Sequence, residues 1–133
     1  MIQDVVELFR NFKRYDCMDD NDLRLYLMPS MKLKQCMFVY DNDEVVGFAN
    51  WAYLHDLVEK RFKESGKIKQ IEWKSGRNTW LIEVVSIRKT RELTTKLYNY
   101  FKDRTPIGEC VKWIRTDGSI YRLGQKHKRE FHS

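Results

Sequence analysis

The sequence predicts an α+β domain in which helices pack on one mainly antiparallel sheet. Apolar residues at helical spacing fill the N-terminal third, and β-branched and aromatic runs joined by short Asx or glycine turns follow in pairs. A further helical stretch then precedes one or two closing strands. There is no strictly alternating βαβ series and no glycine-rich nucleotide fingerprint, which argues against a Rossmann arrangement. At 133 residues, 42% hydrophobic and 14% aromatic, the chain is read as a single domain over 1–133 with ample material for a core.

Val5, Leu8, Phe9 and Phe12 recur at helical spacing and predict an amphipathic helix over 2–14. Asp19 to Asn21 supply cap chemistry for a second helix through Leu23, Tyr26 and Leu27, which is expected to end before Pro29. Cys36–Tyr40 and Glu44–Tyr53 flank an Asp41-Asn42-Asp43 turn and predict a hairpin. Asp56–Glu64 reads as a short helix stopped by Ser65-Gly66. Lys67–Trp73 and Thr79–Ile87 read as a second hairpin around Ser75-Gly76. Thr90 is placed to cap a helix to about Asp103, carrying Leu93, Leu97, Tyr100 and Phe101 inward. Pro106 and Gly108 break the chain. Cys110–Arg115 is then a strand, with Ile120–Leu123 a further candidate after an Asp117-Gly118 turn.

Three scattered cysteines without a CxxC pair give no disulfide framework, so reduced thiols are expected. Met1 to Arg14 mixes charged and apolar residues, unlike a signal peptide, and no apolar run approaches the roughly 20 residues of a membrane span. A soluble, cytoplasmic protein is expected. The net charge of +6 favours an acidic partner or a phosphate-bearing one. From Lys112 onward six basic residues face two acidic ones, and a basic tail begins at about residue 124. The three histidines, His55, His127 and His132, are dispersed and have no cysteine at ligand spacing, so no metal site is expected.

Glu83 stands out because it puts a carboxylate between Ile82 and Val84 in an apolar strand. Buried charge is costly without partners. Either this residue has chemical work, or a core tyrosine or arginine satisfies it.

The segment Glu72-Trp73-Lys74-Ser75-Gly76-Arg77-Asn78-Thr79-Trp80-Leu81-Ile82-Glu83 resembles the Asp-Trp-x-Ser-Gly-x-x-x-Trp-Phe-Ile-Asp block of the toxin-activating lysine acyltransferases, with the same spacing. Val45 to Leu54, containing Asn50-Trp51-Ala52-Tyr53-Leu54, resembles that family's strand ending in Ser-Trp-Ala-Asn-Leu. Phe101–Arg104 and Ile114-Arg115-Thr116-Asp117 resemble its helix-to-strand passage. The resemblance spans roughly residues 29 to 125. It implies a GNAT-like fold and transfer of an acyl group from acyl carrier protein or coenzyme A to an amine, a protein lysine in the family, with no permanently bound cofactor.

In the family an aspartate stands at the position of Glu83 and a histidine in the N-terminal segment. No histidine precedes His55 here, so Cys17 and His55 join Glu83 as catalytic candidates. Asn50, Trp51 and the cations Arg88, Lys89 and Arg91 are the donor-binding candidates. Arg88-Lys89-Thr90-Arg91-Glu92 contains no glycine with which to cradle a pyrophosphate, but its charges suit a single phosphate or an acidic carrier. Tyr53, Trp73 and Trp80 are candidate pocket aromatics. The competing expectation is a non-catalytic binding protein with an acidic partner such as nucleic acid, held by Lys126 to Arg129 with Trp113 or Tyr121 stacking. A second copy of the chain is a further candidate partner.

Overall fold

A computed structural model describes residues 1–114, 120–127 and 130–132. Its helices are α1 (Ile2–Phe9), α2 (Asp20–Lys32), α3 (Asp56–Ser65) and α4 (Thr90–Lys102). Its strands are β1 (Cys36–Asp41), β2 (Glu44–Leu54), β3 (Asn78–Ser86), β4 (Cys110–Ile114), β5 (Ile120–His127) and β6 (Glu130–His132). The strands form one sheet in the order β1-β2-β3-β4-β5-β6. Every pairing is antiparallel except β3 with β4, the pair joined through α4. The fold is therefore the expected α+β arrangement of GNAT-like type. The Asp117-Gly118 turn and Lys128 and Arg129 of the basic tail lie outside the described residues.

The two faces of the sheet can be read along β2. Phe48, Ala52 and Leu54 join clusters built with α1, α2 and α3, whereas Ala49, Trp51 and Tyr53 join the cluster built with α4. Period-2 alternation puts these two sets on opposite faces. On the first face Val5, Phe9, Leu23 and Leu27 bury against Phe48 and Val85, and Phe62 packs edge-on to Trp80 with ring centroids 5.2 Å apart. On the second, Leu93, Leu97 and Phe101 cover Val39, Val46 and Val111. At the β1–β2 turn Asn42 and Asp43 both take positive φ, 49° and 67°, the paired left-handed conformation that a tight hairpin turn demands and that Asn and Asp tolerate.

Several elements depart from the sequence expectation. The first helix stops at Phe9 instead of running to residue 14. Phe12 is extended, and a 3-10 turn at Lys13–Tyr15 follows. Arg10 stabilises this turned course, its guanidinium donating to the carbonyls of Tyr15 (3.3 Å) and Met18 (2.5 Å) and to Asp20 (3.0 Å). The second helix continues through Pro29 to Lys32, because burial of Pro29 and Ser30 against the sheet outweighs the one amide donor that proline lacks. Thr90 is the first residue of α4 and not its cap; the cap position falls on Lys89, in the left-handed region at φ 55°.

Lys67–Trp73 forms no strand. Gln70–Glu72 is a 3-10 turn in which Glu72 accepts from the Lys69 amide at 2.8 Å and from the Arg61 guanidinium at 2.9 Å. The chain meets the edge of β2 only from Trp73 onward: the Trp73 carbonyl accepts from the Tyr53 amide at 2.9 Å, and Lys74 forms an isolated bridge to Tyr53. Ser75-Gly76 consequently turns no hairpin. Instead the amides of Ser75 and Gly76 donate to the Tyr53 carbonyl (2.7 and 3.0 Å), and the chain then crosses the end of β2 to start β3. A Cβ at Gly76 would lie 2.5 Å from the backbone N and Cα of His55, so only glycine permits the crossing.

Gly76→Ala should therefore lower stability by about 2 kcal/mol, as forced overpacking does. Urea unfolding would show this as a reduced midpoint, whereas Gly66→Asn, at an open position whose left-handed φ of 71° asparagine tolerates, should cost less.

Candidate active site

Among the described residues β3 and β4 pair at two positions, Thr79 with Val111 and Trp80 with Lys112. One carboxylate fastens this closed end. Glu59 of α3 accepts from the Trp80 indole N–H at 2.8 Å and from Lys112 Nζ at 3.1 Å. Beyond it the strands part, and a cleft of about 480 Å³ opens between them, lined by Leu81, Ile82, Glu83 and Val84 on one side and Trp113 and Ile114 on the other. Arg14 and Tyr15 from the 3-10 turn complete its wall.

Simple alternation would aim Glu83 at the α4 face alongside Leu81. A β-bulge prevents this. Asn50 pairs with Glu83 and Trp51 with Leu81, which leaves Ile82 as an extra residue in β3. Trp80 and Ile82 face the α3 side, and Glu83 then turns to that same face, towards α1 and α2. There Tyr26 Oη donates to Glu83 Oε2 at 2.5 Å, and Tyr15 Oη donates to Oε1 in a short hydrogen bond. The Glu83 amide donates to Asn50 Oδ1 at 2.8 Å.

Burial pushes the Glu83 carboxyl above its ordinary value of 4.5, against the downward pull of the two phenols and of Arg14. Burial and then the negative charge of Glu83 raise both phenols far above 10.0, so each stays a proton donor at neutral pH. Arg14 is exposed at the rim, with its guanidinium 4.9 Å from the Tyr15 ring centroid. A half-buried carboxylate, two held phenol protons and one cation beside an apolar gap make an arrangement chemically able to move a proton.

The family model that matches this chain is that of the RTX toxin acyltransferase family, over residues 1–123. The chain belongs to that family. Acyl transfer is thus the activity its family carries, and no curated protein matches it.

Of the catalytic, donor-binding and pocket candidates named from the sequence, Glu83 alone lines this cleft, together with Trp113, the candidate for stacking. His55 is exposed and caps α3, its Nδ1 accepting from the Leu57 amide at 3.2 Å. It follows Asn50, the partner of Glu83, by five residues along β2, about 16 Å at the usual rise per residue. Cys17 is an exposed free thiol two residues beyond Tyr15. The N-terminal segment does supply a side chain to the carboxylate, but that side chain is a phenol and not an imidazole or a thiol.

Asn50 and Trp51 are buried, Asn50 completely, and Trp51 packs on Tyr100 and Phe101 of α4. Arg88 is bonded to Asp41 and Glu44, both at 3.1 Å, and Lys89 to the Tyr40 carbonyl at 3.1 Å. Arg91 is exposed on the first turn of α4. Trp73 and Trp80 belong to the α3-side core, and Tyr53 is half-buried on the α4 face. Among the described residues no His/Cys/Asp/Glu group could hold a metal ion, and no helix is long and apolar enough to cross a membrane.

Sequence reasoning missed Arg14, Tyr15 and the role of Tyr26. The available signal was that a phenol on an apolar helix face needs a partner, as a strand carboxylate does.

Because the folded-state value of Glu83 is raised, its contribution to stability is complete below 4.5 and is lost as pH rises through that higher value. Glu83→Gln should therefore gain stability relative to the parent as pH increases from 4.5 towards neutrality, measured by urea unfolding across that range. The phenols have the same sign at alkaline pH, with stability falling above 10.0.

Proposed function

We propose that this chain transfers an acyl group from a thioester of acyl carrier protein or coenzyme A to an amine, a protein lysine first of all, in the cleft between β3 and β4. The placement of Glu83 supports this most: the bulge brings a half-buried carboxylate to the point where two strands part. Leu81, Ile82, Ile114 and Trp113 offer apolar walls to the acyl chain.

In the proposed reaction Glu83 takes the proton of the incoming amine, whose nitrogen forms the new C–N bond at the thioester carbonyl. The C–S bond breaks and the electron pair leaves on sulfur. Tyr15, hydrogen-bonded to Glu83 and lining the cleft, passes its proton to the thiolate and is reprotonated from Glu83. The amine proton thus ends on sulfur and the site returns to its starting state. Burial favours this relay by keeping the phenol neutral and the carboxyl easily protonated. For the donor's phosphate, Arg14 at the rim and Arg91 on α4 are the better placed cations, since Arg88 and Lys89 already neutralise Asp41 and Glu44.

A second reading, a binding protein without catalysis, is favoured by one observation: both oxygens of Glu83 are already occupied by phenols, and among the described residues no imidazole is bonded to them. Its partner would be an acidic one such as nucleic acid, and its affinity would fall steeply with salt.

Mass spectrometry of candidate proteins incubated with acyl-carrier-protein or acyl-coenzyme A thioesters separates the two. Transfer predicts acyl-sized mass increments on lysine, with Glu83→Gln slowing the reaction about 10²- to 10⁴-fold, the usual worth of a general base. Unmodified candidates throughout, together with salt-sensitive binding of nucleic acid, would establish the second reading.

A further inference from the structure

The bulge that aims Glu83 has a built-in fastening. Asn50 is fully buried, and its two polar ends are both engaged. Its Oδ1 accepts from the Glu83 amide at 2.8 Å, the backbone donor immediately after the bulged Ile82. Its Nδ2 donates to Ser30 Oγ at 2.9 Å, and Ser30, also fully buried, donates onward to the Leu27 carbonyl at 3.0 Å. Ser30 stands four residues after Tyr26 on α2, so the two share one helix face. A single face of α2 therefore grips Glu83 at both ends: Tyr26 bonds the carboxylate directly, and Ser30 holds the amide through Asn50.

We propose that Asn50, clasped by Ser30, is a positioning residue for the reaction: it locks the Ile82 bulge and so keeps Glu83 facing Tyr15 and Tyr26 inside the cleft. This deepens the proposed function and rests on it for its catalytic meaning. The geometric claim stands on the hydrogen bonds alone. Without the clasp, β3 is free to regain regular alternation, which would swing Glu83 to the α4 face beside Leu81 and away from both phenols.

The groups facing Glu83 are Tyr15, Tyr26 and Arg14, and the two phenols report on its position. Site-resolved NMR of tyrosine Cζ through an alkaline titration gives their midpoints without any need for turnover. In Asn50→Leu the Tyr15 and Tyr26 midpoints should fall below those of the parent, because the charge and hydrogen bonds of Glu83 are withdrawn while the burial of the phenols remains. Asn50→Asp keeps an acceptor for the Glu83 amide, with the Ser30 hydroxyl able to turn and donate, and its added negative charge should hold both midpoints at or above those of the parent. Val46→Ala, at a buried position on the opposite face, should lower Tm while leaving the phenols unmoved.

A folded Asn50→Leu protein with parental Tyr15 and Tyr26 titrations would overturn the proposal. If that variant does not fold, Ser30→Ala provides the same reading: a fall in the midpoints supports the clasp, and unchanged midpoints overturn it. Absence of acyl transfer in the parent would count against the proposed function only, because the phenol titration does not depend on it.

Discussion

A carboxylate taken out of water needs hydrogen-bond donors, and the site is organised around meeting that need for Glu83. Two phenols from different elements converge on its oxygens, a buried amide side chain takes its backbone N–H, and a cation lies at the rim of the same cleft. The 3-10 turn at Lys13–Tyr15 and the long α2 supply those phenols, which ties the N-terminal segment to the middle of the sheet. Interrupting α1 at Phe9 makes this possible, since Arg10 braces the turn that carries Tyr15 inward.

The cleft follows from a contest between pairing and splaying along β3. At the closed end, Glu59 links α3 to Trp80 and Lys112 across the strand pair, in a site where burial raises its carboxyl and the hydrogen bonds of Trp80 and Lys112 bring it below the ordinary range. Past Trp80 the described residues make no further β3–β4 pair, and the bulge at Ile82 changes which face the next side chain meets. Opening and bulge thus fall at neighbouring positions of one strand. The apolar gap and the proton-bearing group are therefore adjacent.

In this chain the Glu83 carboxylate sits among tyrosines. A phenol held neutral can donate to a carboxylate and relay a proton, yet it cannot itself begin as the base at neutral pH. If this member of the acyltransferase family is active, the initial proton acceptance falls to Glu83, and the upward push on its carboxyl suits that task. The same phenol pair also makes a stable structural arrangement, and this is why turnover and binding must be measured against each other.

How much of this was legible in the chain can be judged residue by residue. The helical spacing of Val5, Leu8 and Phe9, the Asx turn at Asp41–Asp43 and the spacing of the tryptophan block are local signals, and they determined the fold class, the family and Glu83 as the residue in question. Ser75-Gly76 looked locally like a hairpin turn, but Gly76 is required by the backbone of His55, twenty-one residues earlier. Tyr15 and Tyr26 reach Glu83 across separations of 68 and 57 residues, and no pattern along the chain encodes such meetings. The direction in which Glu83 points was decided only by tertiary structure. A strand's period of two fixes faces until one extra residue shifts it, and whether Ile82 is extra depends on Asn50 in the neighbouring strand and Ser30 in the helix above it.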